Sequence, residues 1–176
     1  MVKTLGAALV ATLALVGIAP AATQKDTFTL SATLRARFEV PKPVGVPAGA
    51  AGSFTGKVVE LANDRARLTW RLTFTKLSGR ALQSHVHIGK PGKAGNVLVA
   101  LCGPCRQGQR GTATITHAQL RTIRAGRAYV NIHTAKNAAG EIRGQIKASK
   151  SSSSSNSSPP PPPSPTPEPP PYPPYP

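Results

Sequence analysis

The sequence predicts an all-β protein: an antiparallel β-sandwich of about eight short strands with one short helix, followed by a disordered C-terminal tail. Apolar and polar residues alternate over residues 27–40 and 68–75, which places the apolar side chains on one face of each strand. Gly, Pro, Asn and Asp clusters separate most of the other short apolar runs, as turns do between strands. With 39% hydrophobic residues, the middle of the chain is able to bury the core of one domain.

The first predicted strand covers residues 27–40. Its inward set runs from Phe28 to Phe38 and Val40, and Glu39 belongs to the outward set. Pro41 and the prolines that follow end the strand, because proline has no backbone N–H to donate to a sheet. Further strands are predicted at residues 54–61, 68–75, 82–88, 96–102, 111–116, 128–134 and 141–147.

A single segment has the pattern of a helix. Thr116 is a candidate N-cap for a short helix over His117–Arg124, with Leu120 and Ile123 facing inward. Gly126 follows the last turn, where glycine is common. Long helices between the strands, which a doubly wound α/β fold requires, are absent from the sequence.

Both ends of the chain differ from the body, which is predicted to be one domain over residues 22–150. A positive start at Lys3, an apolar run and a small-residue site ending at Ala21 predict a signal peptide over residues 1–21, cleaved after Ala21. The alternative is an uncleaved membrane anchor, although the run is shorter than the roughly 20 residues that a span needs. We therefore expect a secreted, periplasmic or cell-wall-associated protein with no transmembrane segment after processing.

The C-terminal end is predicted to be a Ser-rich linker over residues 151–158 and a disordered Pro-rich tail over residues 159–176. The tail has three interpretations. It is a spacer, a wall- or matrix-associating segment similar to proline-rich extracellular glycoproteins, or a ligand for a proline-recognition domain.

The chain is strongly basic, with 22 Lys and Arg against 6 Asp and Glu and a net charge of +16. The positive residues are scattered, and no run of them reaches five. Nucleic acid is the usual partner of such a chain, but export makes it an unexpected one here. An anionic polysaccharide, another cell-wall or matrix polymer, or acidic lipid headgroups fit better. A solvated basic surface without a partner is the plain alternative.

Three histidines are candidate metal ligands. His85 and His87 are two residues apart in a predicted strand, so their imidazoles project from one face, as two ligands of a Cu or Zn ion do. His133 lies in another predicted strand and converges with them if the two strands are neighbours, and Glu141 is a candidate oxygen ligand. The alternatives are a structural, hydrogen-bonded histidine pair and a pair of half-exposed polar residues without a metal. His117, at the start of the helix, is predicted to be peripheral.

Cys102-Gly103-Pro104-Cys105 has the four letters of the thioredoxin-type active site. That chemistry needs the first thiolate at a helix N-terminus, which lowers its pKa, and the polar, glycine-broken loop at residues 106–111 is a poor helix start. The interpretation we favour is a local structural disulfide between Cys102 and Cys105, and thiol–disulfide exchange is the alternative.

The body also carries a family resemblance. Its elements are His85-Val86-His87-Ile88-Gly89, then Tyr129-Val130-Asn131-Ile132-His133-Thr134, then Gly140-Glu141-Ile142-Arg143-Gly144-Gln145-Ile146. Together they resemble the CHRD domain, named after chordin, over roughly residues 26–148. The resemblance implies an all-β sandwich and no assigned chemistry. The His-x-His strand is also similar to the copper-binding element of Cu/Zn superoxide dismutases, whose remaining ligand spacing is missing here.

These observations predict a non-enzymatic binding or structural module at the cell surface, in the periplasm or in the matrix, with an anionic polymer as its partner. The alternative is a Cu- or Zn-binding extracellular protein, or a superoxide-dismutase-like enzyme, that uses the histidine cluster.

Overall fold

The computed structural model describes residues 25–151. The predicted signal peptide with its cleavage after Ala21, the Pro-rich tail, and all but the first residue of the Ser-rich linker lie outside the described residues. Within residues 25–151, no helix has the length and apolar character to cross a membrane.

The prediction of an all-β antiparallel fold with one short helix is confirmed. The strands form one sheet in the order β5-β4-β7-β8-β1-β2-β3-β6, and β9 also pairs with β1. The two end strands, β5 and β6, contact each other, so the sheet nearly closes around the core. The elements are β1 (Thr27–Arg35), β2 (Ala51–Glu60), β3 (Arg65–Thr75), β4 (Gln83–Ile88), β5 (Val97–Cys102), β6 (Arg110–Thr116), α1 (His117–Arg124), β7 (Ala128–His133), β8 (Ile142–Gln145) and β9 (Lys147–Lys150).

The core is built from the inward positions of the alternating strands. In β1 every second residue from Phe28 to Leu34 is buried, and in β3 the same holds from Ala66 to Leu72. Helix α1 begins where the sequence predicts, because Thr116 forms a capping box with Gln119. Its Leu120 and Ile123 are buried in the same core.

The prediction for residues 36–40 is wrong. Strand β1 ends at Arg35, and Ala36–Phe38 form a 3₁₀ turn. A 3₁₀ turn repeats every three residues and not every two, so the alternation of faces does not continue through it. Phe38, expected inside, is 44% exposed, whereas Glu39, expected outside, is only 2% exposed.

The predicted strand over residues 141–147 is two short strands. Strand β8 lies between β7 and β1, with Asn131 opposite Arg143 and Arg35 opposite Arg143. Strand β9 then pairs with the first half of β1. This arrangement puts β4, β7 and β8 side by side, and the candidate site lies on these strands.

Candidate metal centre

The three candidate ligands lie on two adjacent strands. Strands β4 and β7 are antiparallel neighbours, with His85 opposite Asn131 and Gln83 opposite His133. Because side chains alternate along a strand, His85 and His87 lie on the same face of the sheet as Asn131 and His133. The opposite face of β7, with Val130 and Ile132, belongs to the apolar core. The condition that the sequence left open, that the two strands be neighbours, is therefore met.

The imidazole rings converge. One ring nitrogen from each of His85, His87 and His133 lies within 4.8 Å of one ring nitrogen of each of the other two. The closest pair is His85 Nδ1 and His133 Nε2, at 3.2 Å. Two ligands with metal–nitrogen bonds of roughly 2.0–2.1 Å and a tetrahedral angle lie about 3.3 Å apart. The histidine separation therefore already matches that of two ligands on one ion.

Backbone carbonyls fix the orientation of two of the rings. His87 Nδ1–H donates to Gly95 O, and His133 Nδ1–H donates to Ala138 O, each at 2.9 Å. A carbonyl oxygen only accepts, so in the neutral rings Nε2 carries the free lone pair. His133 Nε2 accepts a hydrogen bond from His85 Nδ1–H. His87 Nε2 is buried beside the Asn131 side chain and forms no hydrogen bond of ordinary geometry among residues 25–151, so its lone pair is open to a ligand role.

The surroundings favour the neutral rings that metal binding requires. Burial lowers the pKa of His85, His87 and His133 below the ordinary value of 6.5. Repulsion among the charged forms lowers the pKa of His85 and His133 further, and Arg143 acts on His87 in the same direction. The carbonyl hydrogen bonds of His87 and His133, and the Asn131 side chain next to His87, raise these pKa values without cancelling the effect of burial. The cluster is therefore uncharged at neutral pH.

The structure does not bring Glu141 into the cluster. Its side chain is fully buried and accepts hydrogen bonds from Ser78 N and Thr134 Oγ1, both at 2.6 Å, from Asn137 Nδ2 at 3.0 Å, and from Ser78 Oγ. Burial alone would raise the pKa of Glu141, but these hydrogen bonds outweigh it and lower the pKa below 4.5. Glu141 therefore anchors the 134–141 loop, which carries the Ala138 carbonyl that orients His133.

Three further buried side chains, Tyr129, Arg143 and Glu39, lie next to the histidines. The sequence alone did not identify them as part of the site. The His87 ring stacks on Tyr129, with centroids 5.0 Å apart and planes 8° from parallel. The Arg143 guanidinium carbon lies 3.3 Å from the centre of the Tyr129 ring. Glu39 is close enough to Arg143 that their charges interact, although burial has the larger effect and raises the Glu39 pKa. The alternation of side chains along β7 predicts that Tyr129 and Asn131 share a face with His133. No comparable sequence pattern predicts that Arg143 and Glu39 lie beside the histidines.

The other chemistry-bearing residues lie outside the cluster. Cys102 and Cys105 form a disulfide, and the loop after them leads into β6 and not into a helix. The feature that lowers the thiol pKa in thioredoxin-like sites is therefore missing. His117 starts α1, where its Nε2–H donates to Arg65 O and its Nδ1 lies 3.4 Å from Asp64 Oδ1.

Comparison with known proteins gives one match. The family model described as the CHRD domain matches residues 30–146, a span that includes the three clustered histidines, Glu141 and both cysteines. No curated protein and no solved structure matches the chain.

Proposed function

Since the chain belongs to the CHRD domain family, we propose that it is an exported, non-catalytic module that binds one copper or zinc ion through His85, His87 and His133. The observation that carries the proposal is the convergence of three imidazole nitrogens within 4.8 Å of one another. Two of these rings are held by backbone carbonyls at Nδ1 and turn Nε2 toward the cluster, as ligand histidines are oriented in metal sites; His133 Nε2 there meets His85 Nδ1.

The donor atoms select the class of metal. Neutral imidazole nitrogens suit Zn²⁺ and Cu²⁺, whereas Mg²⁺ and Ca²⁺ prefer oxygen ligands. The thiolate that would favour Cu⁺ is missing from the described residues, because both cysteines are in the disulfide. For a site of this kind the general affinity order places Cu²⁺ above Zn²⁺. We therefore expect Cu²⁺ to bind most tightly, and Zn²⁺ to bind next.

The arrangement favours binding over turnover. Three protein ligands leave at least one coordination position for water or a further ligand. A catalytic role for this site would need Glu141 as the nearby carboxylate. Both of its oxygens, however, already accept hydrogen bonds from Ser78, Thr134 and Asn137. A metal-binding site does not by itself make an enzyme, so we propose a carrier or structural metal module.

Titration of the chelator-treated protein with Cu²⁺ and Zn²⁺ tests this function. We expect one equivalent of either ion per chain, a rise in the thermal unfolding midpoint that grows with free metal concentration, and no such response to Mg²⁺. The variant with His85, His87 and His133 all replaced by alanine should lose the stoichiometric binding. Wild-type protein that binds neither Cu²⁺ nor Zn²⁺ at one equivalent, or a triple variant that binds like the wild type, would contradict the proposal.

A second function, binding of an anionic wall or matrix polymer, is favoured by the charge. The net charge of the chain is +16, and few acidic groups offset it at the described surface. Glu39 and Glu141 are buried, so Asp26, Glu60 and Asp64 are the acidic groups that remain at the surface of residues 25–151. An uncompensated basic surface attracts polyanions at a distance of about one Debye length, roughly 10 Å at 0.1 M salt.

Retention on immobilised acidic and neutral polysaccharides tests the second function. We expect the protein to be retained on the acidic polymer at low salt and to be released as the salt concentration rises, because screening weakens the attraction. Retention on a neutral polysaccharide should be negligible. Equal behaviour on the two matrices, or no retention at low salt, would exclude this function and would leave the metal proposal untouched.

A further inference from the structure

A cavity beside the metal centre has the character of an anion site. It measures about 630 Å³, within the range of small-molecule sites. We propose that it binds a small organic carboxylate with an apolar body, such as an aromatic or short aliphatic acid. The described residues that line it are Ser31, Ala32, Thr33, Arg37, Phe38, Val40, Pro91, Gly92, Arg143, Gln145 and Lys147.

Three cationic side chains face this cavity, and none of its described lining residues is acidic. Arg143 is 1% exposed, and its Nη2 donates to Lys90 O and Lys93 O at 3.0 and 2.9 Å. Its Nη1 is buried without a hydrogen-bond partner among the described residues. The Tyr129 ring stacks on this guanidinium group and the charge of Glu39 interacts with it, so the exposed cations of the cavity are the ones that remain to pair with a bound anion. Arg37 and Lys147 are exposed and add positive charge.

The remaining lining residues fit an apolar ligand body. Ala32, Phe38, Val40 and Pro91 offer hydrocarbon surface, and Phe38 is one of the large hydrophobic side chains exposed at the described surface. Arg37 lies over the Phe38 ring, with its guanidinium carbon 4.6 Å from the ring centre. Gln145 Nε2 donates to Gly89 O and Gly126 O at 2.8 and 2.9 Å, which fixes this side chain in the wall of the cavity. Apolar surface with a few placed polar groups is the composition of small-ligand sites.

None of the three histidines lines the cavity, so the two proposals are tested separately even though Arg143 interacts with both Tyr129 and His87. It also differs from the diffuse attraction of a polyanion, because the cations are combined with apolar surface. A linear acidic polymer needs exposed charge along a surface, whereas this cavity places Arg37 and Lys147 next to the hydrocarbon surface of Phe38 and Val40.

The test uses the full chain without added metal and two probes that differ in charge, 3-phenylpropionate and 3-phenylpropionamide. We expect the carboxylate to bind at least about 10-fold more tightly than the amide, since hydrogen bonds to an ionised acceptor are about twice as strong as neutral ones. Binding is followed by NMR titration, and the shifts should concentrate on Phe38 and the Gln145 side-chain amide. Equal affinity for the two probes, or no binding of either, overturns the proposal.

Matched variants separate the cavity from general charge. Arg37→Gln with Lys147→Gln removes two exposed cations of the cavity, and we expect the carboxylate affinity to fall about 10-fold. Arg110→Gln with Arg121→Gln removes two exposed cations from β6 and α1, neither of which lines the cavity, and should leave the affinity within about 2-fold. Equal losses in the two pairs would assign the binding to diffuse charge and overturn the proposal, whether or not the protein is retained on acidic polymers.

Discussion

We expect replacement of His133 by alanine to weaken the binding of Cu²⁺ or Zn²⁺ by more than about 10–100-fold. That range is the loss of metal affinity that follows from removing an outer-shell hydrogen bond, and a ligand contributes more. His133 supplies one of three converging nitrogens, and its Nε2 lies 3.2 Å from His85 Nδ1. Two remaining ligands are too few for a tight protein site, because structural and catalytic zinc sites use at least three protein ligands. Calorimetric titration at pH 7.5 measures the change.

The chain contains its own control for this prediction. Of the four histidines in the sequence, His117 is the one that lies outside the cluster, and it donates to Arg65 O at the start of α1. The His117→Ala variant should bind metal as the wild type does. Far-UV circular dichroism and the unfolding midpoint without metal show whether the His133→Ala variant is folded. A folded His133→Ala protein with wild-type metal affinity would exclude His133 as a ligand.

The sequence was sufficient to predict that His85 and His87 share a face, because a strand has a period of two and the alternation around them is local. It was not sufficient to bring His133 to them. That step depends on the pairing of β4 with β7, which are separated along the chain by β5, β6 and α1. The family match over residues 30–146 identifies the domain, but the register that makes the three rings converge is a property of the folded sheet.

The positions of Glu39 and Arg143, which the sequence did not predict, have physical causes as well. Glu39 follows an alternating segment, and a 3₁₀ turn at Ala36–Phe38 reverses the face on which it lies. Arg143 carries a charge that normally indicates exposure, yet it lies between β7 and β1 on the short strand β8, and is 1% exposed. Both side chains are buried by the loops that cover the outer face of the sheet, and alternation within a strand does not report what covers it.

Glu141 is a candidate oxygen ligand from the sequence, but its hydrogen bonds give it a structural role. We expect Glu141→Gln to lower the free energy of unfolding by about 3 kcal/mol at pH 7, since the amide group presents a donor to partners that already donate, and hydrogen bonds to charged groups are worth about 1.5–3 kcal/mol each. Thermal or urea unfolding without metal measures the loss. Metal affinity should also fall, by about 10-fold, because the loop that holds the Ala138 carbonyl against His133 loosens.

The pH dependence of unfolding separates this task from a generic packing defect. Hydrogen bonds keep the pKa of folded Glu141 below its ordinary value of 4.5, so the unfolded state binds a proton at this site before the folded state does. The stabilisation is therefore complete above pH 4.5 and is lost as the pH falls through the folded value. The stability gap between wild type and Glu141→Gln should narrow below pH 4.5. Glu60→Gln is the matched control, because Glu60, at the end of β2, forms no side-chain hydrogen bond or ion pair within residues 25–151, and it should leave the free energy of unfolding at pH 7 unchanged. A Glu141→Gln variant as stable as the wild type at pH 7 would contradict the anchoring role. So would a stability difference between the two proteins that stays constant with pH, because the contribution of an ionised acceptor disappears as the carboxylate is protonated.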